Sequence, residues 1–137
     1  MNMGEFMLIR NFNLKGFIVI LALLLVASFG SAQNETVETA EKLMIWQLEA
    51  VKDGDYQRFT EHGNKAFKEF YDEYMFDAFK MQRGGKIAKG YKLEYLATIN
   101  RVGMREHLWK IYISGDRYEL LGSLSLSHGK VVGFNLD

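Results

Sequence analysis

At Gly90 the hydrophobic period of this chain changes from three or four residues to two, and that change restricts the fold more than any other feature. Upstream, Val37, Ala40, Met44, Leu48 and Val51 recur at helical steps with Trp46 beside them, which predicts an amphipathic helix. Thr36 stands at the N-cap position, and Gly54 stands where a left-handed glycine ends a helix. Asp55 is placed to cap a short second helix carrying Tyr56 and Phe59 and ending at His62-Gly63. Asn64 caps a third helix. Its stripe of Phe67, Phe70, Tyr71, Tyr74, Ala78 and Met81, widened by Phe76 and Phe79, predicts burial on more than one side, and Gly84-Gly85 is its expected end.

Downstream, alternation predicts four strands. Leu93, Tyr95, Ala97 and Ile99 share one face of the first, and Trp109, Ile111 and Ile113 one face of the second. Leu120, Leu124 and Leu126 share a face of the third, and Val132, Phe134 and Leu136 a face of the fourth. Val102-Gly103-Met104, Ser114–Arg117 and the hairpin pair His128-Gly129 connect them. Ser123, Ser125 and Ser127 then fall on the solvated side of the third strand, where a structural role explains them better than a reactive one. Gly122 has inner parity, which fits a bend or a close helix approach. A run of helices followed by a run of strands is an α+β fold, with about three helices packed on a four-stranded antiparallel meander.

The N-terminus points to export. Arg10 and Lys15 precede an uncharged apolar stretch, Phe17–Phe29, too short to span a bilayer and followed by Gly30-Ser31-Ala32. We read residues 1–32 as a bacterial signal peptide cleaved after Ala32, and 33–137 as one domain in the periplasm or outside the cell. Retention of the segment as an anchor is the alternative. The 17 basic and 17 acidic residues balance, which argues against a nucleic-acid partner. The chain has no cysteine, so disulfides and thiolate metal sites are excluded.

The turn Asp53-Gly54-Asp55-Tyr56 after the first helix, the hairpin Gly129-Lys130 and the strand start Gly133-Phe134 resemble small secreted bacterial members of the nuclear transport factor 2-like (ketosteroid isomerase-like) superfamily, over residues 36–137. The resemblance implies a cone with a pocket between helices and curved sheet, used for acid–base chemistry in some members and for ligand binding or dimerisation in others. That superfamily inserts a strand before its third helix, and residues 63–67 carry no strand pattern. A cystatin-like arrangement therefore stays open as the alternative.

Within such a cone, Tyr95 and Trp109 are the expected floor, and Tyr71, Tyr74 and Ala78 the expected roof, with Asp77 as the one carboxylate bordering the stripe. This set is either an apolar pocket with one or two hydroxyls or a filled core. Asp72 and Glu73 fall off the stripe and read as solvent face, as does the outer parity of Glu94, Glu106 and Glu119. His62, His107 and His128 lack metal-ligand spacing. No nucleophile-elbow or phosphate-loop pattern occurs, the glycines of residues 84–90 included. The basic run Lys80–Lys92 reads first as a solvated segment and second as a contact for anionic partners. Leu96, Leu108, Tyr112, Leu121 and Val131 have outer parity, more apolar than a solvated face requires, so homodimerisation through that face is expected. The expected function is a non-enzymatic exported domain binding a partner protein or a small apolar ligand, without cofactor or metal. A small ketosteroid isomerase-like lyase or isomerase is the alternative.

Overall fold

Four consecutive side-chain caps start four helices in the computed structural model, which describes residues 35–137. Thr36 accepts from the Thr39 amide (3.2 Å) and opens α1, Val37–Asp53. Asp55 accepts from Arg58 (3.0 Å) and opens α2, Tyr56–Glu61. Asn64 accepts from Phe67 (2.8 Å) and opens α3, Lys65–Phe70, and Asp72 accepts from Met75 (2.8 Å) and opens α4, Glu73–Ile87. Each cap satisfies an amide that the helix leaves without a partner, a contribution of about 1 kcal/mol. Gly54 ends α1 in the left-handed region (φ 68°), as expected. The strands β1 (Tyr91–Arg101), β2 (Met104–Ile113), β3 (Glu119–Ser127) and β4 (Lys130–Leu136) form one antiparallel meander in sequence order. The α+β architecture of helices on a sheet is thus as expected. The leader expected over residues 1–32 lies outside the described residues.

The third helix differs from its expected form. It breaks at Tyr71-Asp72, and Asp72, read as solvent face, restarts it. The break resets the helical phase. Phe67 and Phe76 are buried, whereas Phe70, Tyr74 and Met81 of the expected stripe are exposed, at 64%, 78% and 83%. Gly84-Gly85 does not end α4. Gly84 is buried against α1, where an added methyl would lie 3.3 Å from the Val51 carbonyl oxygen, so close helix packing outweighs glycine's helix cost of about 1 kcal/mol.

Two β-bulges also change faces. In β1, Tyr95 pairs with Trp109 and Ala97 with Leu108, leaving Leu96 as the extra residue. Thr98, opposite His107, therefore joins the inner face, while Ala97 and Ile99 move out. In β4, Ser125 pairs with Gly133 and Leu126 with Val131, so Val132 is the extra residue and Val131 is the buried one. Both corrections share a cause. Leu96-Ala97 and Val131-Val132 are apolar at both parities, so alternation there accepts either phase.

The core lies between the helices and the inner face of β2–β4. Phe59 is its centre, with ring centroids 5.4 Å from Phe67, 5.2 Å from Tyr71, 4.9 Å from Phe76 and 5.7 Å from Phe134. Met44 of α1 fills the space over Gly122, as the inner parity of that glycine predicts. Gly63 forms a single parallel bridge to Val131, with Asn64 donating to the Val131 carbonyl (3.0 Å) and Val131 to that of His62 (2.9 Å). The outer edge of β4 is covered at that point.

Candidate functional site

Burial across the inner sheet face is uneven. On β2, His107, Trp109 and Ile111 are fully buried, and Leu124, Leu126, Phe134 and Leu136 of β3 and β4 nearly so. On β1 the inner residues Tyr91, Leu93 and Thr98 are half-buried, and Tyr95 is 38% exposed. The helices lie over β3 and β4, and the β1 side of the inner face is the open side.

Polar groups collect on that side. The Tyr95 and Thr98 hydroxyls share a 2.6 Å hydrogen bond, and Thr98 Oγ1 lies 2.8 Å from His107 Nδ1. The Trp109 ring stands between its neighbours, 6.1 Å from Tyr95 and 6.0 Å from His107. His107 Nε2 and Trp109 Nε1 are both buried without a hydrogen-bond partner, as is the Gln47 amide on the buried face of α1. Most buried polar groups are paired, and leaving one unpaired costs about 1–3 kcal/mol. The unpaired atoms therefore mark where this interior departs from a plain apolar core. No carboxylate joins Tyr95, Thr98, His107 and Trp109 in these bonds, so the group lacks a charged acid–base partner for the imidazole.

Of the residues expected to form a pocket, Tyr95 and Trp109 stand together as an edge-to-face pair on the inner face. Tyr71 is half-buried elsewhere. Its hydroxyl donates to the Phe134 carbonyl (2.6 Å), which satisfies it structurally, and burial pushes its phenol pKa up. Tyr74 and Asp77 are exposed on α4, and Ala78 is half-buried. The roof expected from Tyr74 and Ala78, with Asp77 beside it, is therefore not the one that forms, because the Asp72 cap rotates that face of α4 outward. Thr98 and His107 join the site instead. His107 was legible from its inner parity. Thr98 became an inner residue only through the bulge at Leu96, which alternation does not reveal.

The other candidates have structural partners. His62 caps the end of α2 and packs edge-on against Trp46 at 5.1 Å, and His128 occupies the hairpin turn at φ 49°. In the basic run, the Lys80 amine lies over Gly54 at the C-terminus of α1, where a cation is favourable, and Lys89 pairs with Asp116 at 2.9 Å. Among the described residues, grooves also open elsewhere. One, about 710 Å³, lies beside Trp46 and Arg58, whose guanidinium sits 4.6 Å over the indole. Another, about 590 Å³, runs along Phe67, Phe70 and Tyr71 past Ser123, Ser125 and Gly133.

Burial lowers the His107 pKa from its ordinary 6.5, Arg105 lowers it further, and Glu35 opposes both. A folded pKa below the unfolded one means that protonation favours unfolding. Stability should hold above about pH 6.5 and fall as the pH drops through that value towards the folded pKa. The lowered carboxylates Glu38 and Glu49, ordinarily at 4.5, titrate below this window. Urea midpoints between about pH 7.5 and pH 5 check this, with His107→Asn expected to flatten the slope. An unchanged slope in the variant removes His107 as its source.

Comparison with family models and with curated proteins returns no match for this chain. Among the described residues no helix is long and apolar enough to cross a membrane.

Proposed function

We propose that this protein is a non-enzymatic binding domain that takes a small apolar ligand on the inner face of its sheet, entering from the β1 side. The single observation that carries this reading is the burial gradient, from fully covered Trp109 to 38% exposed Tyr95, its direct cross-strand partner. An aromatic rim over an apolar interior with few polar groups is the usual composition of a small-molecule site. The reading keeps the resemblance to the nuclear transport factor 2-like superfamily and the export of the domain after cleavage at Ala32. A partner protein is the other class of ligand. Pairing of two copies through the outer sheet face belongs to the same proposal, supported by Leu96 and Leu121, exposed at 45% and 43%. Val131, buried on the inner side, takes no part in that face.

A second reading, a small lyase or isomerase, draws on His107. A neutral imidazole in an apolar interior has the form of a general base. Its Nδ1 meets the Thr98 hydroxyl rather than a carboxylate, and the pull of Glu35 is outweighed by burial and Arg105, so the imidazolium that proton abstraction would create is disfavoured. Binding is favoured for that reason.

Titration with N-phenyl-1-naphthylamine, a neutral apolar fluorophore, tests the binding reading. Saturable one-to-one binding is expected, with quenching of tryptophan emission that is retained in Trp46→Phe and lost in Trp109→Phe. Quenching that follows Trp46 instead, or no saturable binding, overturns it.

A further inference from the structure

We infer that the interior beside β1 and β2 holds a subsite for a neutral acceptor oxygen, a carbonyl or hydroxyl on an apolar ligand, bound by the Nε1–H of Trp109 and the Nε2–H of His107. The inference rests on the binding reading above and names the chemical class of its ligand.

Three observations lead there. Trp109 and His107 occupy successive inner positions of β2 with rings 6.0 Å apart, both fully buried, and Trp109 Nε1 and His107 Nε2 have no partner. An indole N–H only donates, so whatever satisfies it must accept. The hydroxyl chain on β1 then sets the imidazole. The Tyr95 hydroxyl, at the exposed rim, lies 2.6 Å from that of Thr98, and Thr98 Oγ1 lies 2.8 Å from His107 Nδ1; the subsite assigns the direction in which Tyr95 donates to Thr98 and Thr98 donates to Nδ1. That direction leaves the imidazole proton on Nε2, so both unpaired nitrogens donate. Finally, the lining is apolar, and the two charges that act on His107, Arg105 and Glu35, oppose each other. Leu93, Ile111 and Met44 pack into the core around this stretch of sheet, and burial keeps the imidazole neutral. Both unpaired groups are neutral donors among apolar side chains, so a ketone, ester, amide or alcohol matches them by bringing an acceptor without the desolvation cost of a charge.

Two probes of the same shape separate this subsite from binding in general. Prodan carries its ketone in a propionyl group on a dimethylaminonaphthalene, and 6-propyl-2-(dimethylamino)naphthalene, the parent, has a methylene in place of the carbonyl. On the full chain, prodan is expected to bind about tenfold more tightly, the equivalent of about 1.4 kcal/mol for the added hydrogen bonds. Trp109→Phe and His107→Phe are each expected to bring the ratio of the two affinities towards one, whatever either does to both probes alike. A readout that needs no variant comes from the two indole N–H signals of 15N-tryptophan-labelled protein. Prodan should move the Trp109 signal downfield and the parent should not. Trp46, whose indole already donates to the Arg58 carbonyl (2.9 Å), serves as internal reference. Equal affinities for the two probes, or a Trp109 signal that responds alike to both, overturn the subsite and leave the binding reading standing. Failure of both probes to bind overturns the binding reading as well.

Discussion

Phe59→Ala is expected to lower the unfolding free energy by about 3–5 kcal/mol, the cost of emptying a large aromatic site in a core that collapses only in part. Phe59 comes from a six-residue helix, yet its ring meets rings from α3, α4 and β4 and the C-cap tyrosine between the two helices. Removing it loosens the seam that holds the short helices to the sheet. Helices of six residues have no stability of their own and depend on such packing. A domain of this size has about 5–15 kcal/mol in total, so the loss is a large share of it. Urea denaturation monitored by far-UV circular dichroism gives the value. The contrast is Tyr74→Ala and Met81→Ala, which the exposure of both side chains holds within about 0.5 kcal/mol. If Met81→Ala proves as damaging as Phe59→Ala, the helical phase of α4 described above is wrong.

Gly122→Ala is the second large effect, with a loss of about 1–3 kcal/mol from overpacking. The methyl group would overlap Met44 Cε and lie 2.7 Å from Ile111 Cδ1, both inside the core. A melting temperature lower by about 4–8 °C for each kcal/mol is the corresponding signal in calorimetry. Gly85→Ala carries the opposite sign. Nothing lies within 4 Å of a methyl group there, and the residue sits on the exposed side of a helix interior. That exchange should stabilise by about 0.5–1 kcal/mol through helix propensity alone. A neutral Gly122→Ala would mean that α1 does not press on the sheet where Met44 is placed.

The sequence by itself determined the features that depend on local chemistry. The change of period at Gly90 separates the helices from the meander. The caps Thr36, Asp55 and Asn64, the left-handed Gly54 and the hairpin His128-Gly129 stand where short-range hydrogen bonding and backbone sterics require them. The inner rows Trp109-Ile111-Ile113 and Leu120-Leu124-Leu126 were legible because polar residues alternate with them without a break. Gly122 was legible as a close approach because it interrupts a leucine row on the buried side.

Tertiary structure alone decided the rest. Where two neighbours are both apolar, as at Leu96-Ala97 and Val131-Val132, alternation carries no phase, and only pairing with the adjacent strand decides which residue is extra. That choice moved Thr98 to the inner face beside His107 and so assembled the hydroxyl chain of the candidate site. The aromatic run of residues 67–81 presents apolar side chains around most of a helix, so its period fits several phases. The Asp72 cap selected one, turning Tyr74 and Asp77 to the surface and Phe76 to the core. Gly84 shows the same limit from the other side. A glycine pair reads as a helix end in one dimension, and it is a contact between two helices in three.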